Sequence, residues 1–220
     1  MRTLAFLICT LALLALPAAG GVVTLTFEGL QNLEPIDNYY NGGLGGFGSG
    51  PGPNYGITFT PDSLAVISGS APGGSGNFSG SPTMPTIAFF LTGSGDTMDV
   101  PAGFDTGFSF YYSAVVYPGV VNVYDGLNGT GNLLASLDLP ITPSGGSPEC
   151  TYGSYCPWVP IGVSFTGVAQ SVVFAGTANY IGFDNITLGA SVPTPGVPEP
   201  SSTALLGGGL AVLAFRRIRK

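Results

Sequence analysis

Three groups of residues in this sequence have the types and spacing to do chemistry. Glu28 stands beside Gly29 near the start, and Asp184 is followed by Asn185 near the end. Two carboxylates and an amide oxygen are hard donors of the kind calcium takes, so Glu28, Asp184 and Asn185 are the candidate calcium ligands. The competing reading makes them strand-end residues whose oxygens accept backbone N–H bonds. Cys150 and Cys156 lie six apart, and no cationic side chain is near to stabilise a thiolate. A disulfide clipping that loop is therefore expected. Tyr39 and Tyr40 adjoin a glycine-rich stretch, and Trp158 follows Tyr152 and Tyr155 beside the cysteines. Exposed, Tyr39, Tyr40 and Trp158 would be stacking platforms for sugar rings; in a sandwich, most aromatics are core. Asp125, with Asn128 and Gly129, lacks the D-x-[DN]-x-[DN]-G order of a calcium loop and reads better as a hairpin turn.

The charge distribution sets what these groups could do. The five basic residues are Arg2, Arg216, Arg217, Arg219 and Lys220, and there is no histidine. Residues 3–215 thus carry no cation, while all twelve carboxylates lie between Glu28 and Glu199. A nucleic-acid backbone needs Lys or Arg to displace its counterions, so nucleic-acid binding by this interior is excluded. Arginine phosphate clamps, histidine general bases and histidine-ligated zinc are excluded with it. The carboxylates have to be solvated, hydrogen-bonded or neutralised from outside, and calcium is the candidate cofactor. An enzyme built here would have only paired carboxylates for acid–base work, as in glycoside hydrolysis. No catalytic motif is recognisable among them, and a non-enzyme is expected.

The elements that must position these residues read as strands. Of 220 residues 36 are Gly and 19 are Pro, and only 8% are charged, against about 25% in an average soluble domain. With 14 Phe and 10 Tyr there is still enough β-favouring apolar material for a core. Short runs rich in Val, Ile, Phe, Tyr and Thr, bounded by turn residues, recur at 22–27, 56–60, 64–68, 86–92, 103–112, 120–124, 132–137, 158–165, 170–175 and 180–188. Phe104, Phe108, Phe110 and Tyr112 share one parity, the mark of a single buried face. The glycine-rich stretch 41–53 reads as a long loop. The expected fold is all-β, one antiparallel β-sandwich or jelly roll of about ten strands over residues 21–191.

The two ends read as addresses. Met1, Arg2 and Thr3, an apolar stretch at 4–16, Pro17 and the small residues Ala18, Ala19 and Gly20 have the layout of a secretory signal peptide at 1–20. At the other end, residues 192–200 form a Pro-rich linker, 201–215 are apolar, and Arg216, Arg217, Arg219 and Lys220 form a basic membrane stop. Fifteen apolar residues give about 22 Å of helix against a hydrocarbon core of about 30 Å. Residues 201–220 are therefore expected to be a short hydrophobic helix with a basic tail, suited to temporary anchoring.

Pro198, Glu199 and Pro200, followed by the apolar span and the basic cluster, resemble the PEP-CTERM sorting signal of Gram-negative bacteria. The resemblance implies processing by signal peptidase and by an exosortase-type protease-transpeptidase. It also implies transient insertion in the inner membrane, then delivery to the cell surface or the extracellular polysaccharide matrix. The segments at 25–30, 54–59, 123–131 and 181–188 are similar to the domain type that often precedes this signal. Their layout resembles galactose-binding-like jelly rolls of carbohydrate-binding modules. That likeness implies first and last strands lying together, often around calcium. Taken together, these readings describe a non-catalytic exported surface or matrix protein binding glycan or calcium. A secreted glycoside hydrolase and a purely structural adhesive protein are the alternatives.

Overall fold

The computed structural model of the protein describes residues 21–194. The expected signal peptide, the linker from residue 195 with its Pro-Glu-Pro motif, and the hydrophobic helix with its basic tail lie outside the described residues. Twelve strands are formed: β1 (Val23–Leu25), β2 (Glu34–Pro35), β3 (Thr58–Phe59), β4 (Ser63–Ile67), β5 (Thr86–Phe90), β6 (Gly95–Phe104), β7 (Gly107–Ser113), β8 (Gly119–Tyr124), β9 (Leu133–Leu139), β10 (Val159–Ser164), β11 (Ala169–Gly176) and β12 (Gly182–Leu188). They make two sheets. The seven-stranded sheet has the order β10-β7-β12-β5-β4-β2, with β1 also paired to β12; the five-stranded sheet has the order β3-β6-β11-β8-β9. Every strand pairing is antiparallel. The expected β-sandwich is the observed one.

The alternation in β7 shows why. Phe108, Phe110 and Tyr112 point inward and are buried, and from the facing sheet Phe174 of β11 inserts between them. Ring centroids lie 6.1 Å apart for Phe108–Phe174, 6.0 Å for Phe110–Phe174 and 4.9 Å for Phe174–Phe183, all edge-on, the preferred geometry for aromatic quadrupoles. Burying such side chains supplies about 1.5–3 kcal/mol each, the main driving force in a chain with so few charges.

A second layer covers the outside of the seven-stranded sheet. All five residues of β5 are buried, because Ile87 and Phe89 on its outer face lie under Phe78 and Trp158. The cover is made of the connection between β4 and β5 and the cystine loop before β10. These meet in a bridge between Phe78 and Tyr155.

Two strands depart from the sequence pattern, the two-residue β2 and most of β6. β6 is the longest of the twelve, yet its first eight residues include Gly95, Asp96, Asp99 and Pro101, types depleted in strands, so the pattern begins only at Gly103. Tertiary pairing overrides propensity here. β6 lies between β3 and β11, and Asp96, Met98 and Val100 face the core. Pro101 falls where the β6–β11 register shifts, at a bulge that needs no donor from it.

Candidate functional site

The Glu28–Asp184 pair comes together through strand pairing. β1 and β12 pair with Val23 opposite Leu188 and Leu25 opposite Ile186, which carries Glu28 toward Asp184 at the start of β12. Asp184 is fully buried, its Oδ2 accepting from Thr83 N at 2.9 Å and its Oδ1 from Asn185 N at 2.7 Å. Glu28 Oε1 accepts from Thr86 N at 2.9 Å, and Asn185 Oδ1 accepts from the Thr83 hydroxyl at 2.8 Å. Burial pushes the Asp184 carboxyl well above the usual carboxylate range against those two backbone bonds, and the Glu28 charge adds to the rise. Burial likewise raises Glu28. Backbone and hydroxyl donors thus satisfy the oxygens directly, and each oxygen keeps a second lone pair for a cation. Among the described residues no three His, Cys, Asp or Glu side chains converge on one point.

Asp125 closes the β8–β9 hairpin. Its two oxygens accept from Asn132 N at 2.6 Å and Asn132 Nδ2 at 2.8 Å. Cys150 and Cys156 are joined in a disulfide with Cα atoms 5.4 Å apart.

The aromatic platforms expected from sequence are corrected by burial. Tyr39, Tyr40 and Trp158 are all buried, so none presents a face to solvent. The Tyr40 hydroxyl accepts from Phe27 N at 2.6 Å, and the Tyr39 hydroxyl donates to Glu28 O at 3.0 Å. The Trp158 indole N–H donates to Ser79 O at 3.0 Å, with its ring edge-on to Phe78 at 5.9 Å. These rings each find a polar partner inside, which makes an aromatic with a polar tip a stable core residue.

An open cleft with two half-buried tyrosines lies beside Trp158 instead. A cleft of about 410 Å³ opens at the edge of the outer cover, lined by Phe78, Phe89, Tyr155 and Tyr180, with Leu33 and Leu91 at its mouth and the amides Asn77 and Asn179 beside them. Its volume lies within the usual range of small-molecule sites. Tyr155 is fixed by the cystine loop, where Ser154 N and Tyr155 N both donate to Asn77 O at 3.1 Å. Tyr180 sits in the turn before β12, its ring edge-on to Tyr117 at 4.8 Å. Burial raises the Tyr155 phenol, and Tyr180 adds to the rise. No charged side chain lines the cleft. The sequence marks Tyr155 through the cystine loop, but nothing local marks Tyr180 or Asn179, whose place depends on how the β11–β12 turn folds over the sheet.

No curated protein matches the chain. Among solved structures, a Bacillus subtilis family 43 arabinoxylan arabinofuranohydrolase aligns at 23% identity and a TM-score of 0.37, over 60% of this chain and 26% of that one. The chain therefore spans about a quarter of that enzyme. The K2 cleaved adhesin domain of Lys-gingipain aligns at 14% identity and TM-score 0.47, over 77% of this chain and 98% of that one. A β-1,3-glucan-binding family 6 carbohydrate-binding module from Bacillus halodurans aligns at 16% and 0.34, over 62% and 87%. At TM-scores below 0.5 these likenesses assign no activity to the chain. The sequence family is specific where it matches: residues 196–220 are a PEP-CTERM protein-sorting motif, so the chain carries the mark of an exported protein sorted to the cell surface.

Proposed function

We propose that this is a non-catalytic protein of the cell surface or extracellular polysaccharide matrix whose sandwich binds neutral glycan in the cleft between Tyr155 and Tyr180. Signal peptidase removes about residues 1–20, the tail holds the chain transiently in the inner membrane, and an exosortase-type enzyme cuts near Pro198, Glu199 and Pro200. The observation that carries the reading is the sorting motif at 196–220. The cleft supports the ligand class. Aromatic rings with neutral amides beside them suit an uncharged sugar ring, and a uronic acid would meet no cation there. Glycoside hydrolysis needs two carboxylates flanking the bond, and none lines this cleft. In the same reading Glu28, Asp184 and Asn185 offer calcium three side-chain oxygens at the β1–β12 junction, where a cation would offset the mutual repulsion of the carboxylates.

The test is calorimetry against neutral and acidic polysaccharides with the full-length chain and Tyr180→Ala. Saturable binding of a neutral glycan, weakened about 3- to 10-fold by the substitution, is expected for the loss of one stacking ring. Binding unchanged in Tyr180→Ala, hydrolysis of the glycan, or no binding across the panel overturns the ligand assignment.

A further inference from the structure

β6 carries a buried carboxylate with an oxygen that has no hydrogen-bond partner among the described residues. Asp96 is the second residue of β6 and shares the inward parity of Met98 and Val100. Ser63 opens β4 in the opposite sheet, in register with Phe90 and on the inner face that Ala65 also occupies. The two side chains therefore face each other across the inside of the sandwich, at the rim where residues 60–62 and 91–94 cross from one sheet to the other. Asp96 is 5% exposed and Ser63 0%. The serine hydroxyl lies close enough to favour the ionised carboxyl. Yet neither Asp96 Oδ1 nor Ser63 Oγ completes a hydrogen bond; with Ser113 Oγ they are the buried side-chain oxygens without a partner among the described residues.

Asp62 stands next to Ser63 on the exposed side of this rim. Its Oδ1 accepts from the Thr92 hydroxyl at 3.0 Å, and its charge acts on Asp96. β3, β4, β5 and β11, which surround the site, carry no titratable side chain, and residues 3–215 carry no cation. A buried carboxylate with an unpaired oxygen is costly, and this chain cannot supply the counter-charge itself.

We infer that Asp96, Ser63 and Asp62 bind a hard divalent cation, calcium, at this rim. The site is separate from the glycan cleft and from the β1–β12 junction. Two carboxylates and a hydroxyl are hard oxygen donors, and water and main-chain carbonyls complete such shells. Asp62 provides the solvent-facing entry. The contrast with Glu28 and Asp184 is in hydrogen bonding, since their oxygens already accept donors whereas Asp96 Oδ1 and Ser63 Oγ wait for a partner.

Calcium chloride titrated calorimetrically into the full-length chain tests this, alongside Asp96→Asn, Ser63→Ala and Glu28→Gln. The expected result is saturable uptake by the parent protein in which one calcium is weakened about 10-fold or more in Asp96→Asn and about 3-fold in Ser63→Ala, and that same calcium persists when Glu28→Gln removes any ion held at the β1–β12 junction. Absence of uptake at millimolar calcium overturns the assignment. So does uptake that both rim variants leave unchanged, or uptake lost in Glu28→Gln alone, which would place the ion at the β1–β12 junction. None of these outcomes bears on glycan binding in the cleft.

Discussion

Glu34 and Asp96 are both buried carboxyl groups in a chain with no internal cation, and the fold treats them in opposite ways. Glu34, in β2, is fully buried beneath the glycine-rich stretch. Its Oε1 accepts from Phe47 N at 2.9 Å and Ser49 N at 3.0 Å, and its Oε2 from Gln31 N at 2.6 Å. Burial works to raise this carboxyl, but the Ser49 hydroxyl and the three N–H groups outweigh it and hold the carboxyl below its ordinary value. Asp96 meets burial with the Ser63 hydroxyl and its own N–H alone to oppose it and the Asp62 charge to reinforce it, and is pushed up to about 7. The lesson is that loops can supply a substitute for cations. The stretch at 41–53 turns its amides onto Glu34, and it can do so because Gly45 has no Cβ; one built there would lie 2.6 Å from Glu34 Oε1 and 2.7 Å from Leu30 Cδ2. Two strands facing across a core have spent most of their amides on the ladder, and Asp96 is left with its own N–H rather than a loop's three.

Removing the well-satisfied carboxylate should cost the protein most. Glu34→Ala removes the acceptor of three charge-assisted bonds, from the Gln31, Phe47 and Ser49 N–H groups, and is expected to cost about 3–5 kcal/mol, read by urea unfolding. A cost under about 1 kcal/mol would mean that the loop holds itself without the carboxylate.

The next effect is on pH. Asp96 is raised from an unfolded value of about 3.9 to about 7 in the fold, so the folded state binds its proton more tightly. Its contribution is full below about pH 4 and is lost as pH rises to about 7, a decline on the order of 2–4 kcal/mol in metal-free protein. Glu34 has the reverse sign, since its depressed value contributes stability above about pH 4 that is lost as pH falls through the folded value. Chemical denaturation from pH 4 to 8 in chelator should show the Asp96 decline, and Asp96→Asn should flatten it. The same slope in both proteins would refute the assignment.

The smallest effect tests Ser63. Its hydroxyl is buried without a completed bond, so Ser63→Ala is expected to raise metal-free stability by about 0.5–1 kcal/mol. A loss of that size instead would show a working hydrogen bond to Asp96 and narrow the gap between the two carboxyl groups.

Much of this molecule is legible in its residues. The parity of Phe108, Phe110 and Tyr112 declares one face of β7, and all three are buried against the other sheet. The two mature cysteines, with no group nearby to activate a thiol, declare their bond. Asp125 declares a turn through the glycines and asparagines around it. β6 is hidden, because its composition argues against a strand and only its neighbours β3 and β11 make it one. Tyr39, Tyr40 and Trp158 are misleading for a related reason: a tyrosine beside a glycine loop looks exposed until that loop folds back over it.

The sequence by itself determined the class, the sorting address and the electrostatic predicament, because these follow from composition, period-two patterning and the order of residues in the tail. Tertiary structure alone decided which carboxyl groups are satisfied, which aromatics reach solvent, and that Ser63 faces Asp96. The physical reason is that a strand's pattern fixes which face of its own sheet a side chain takes, whereas the partner across the core is set by how two sheets stack. No local pattern records that.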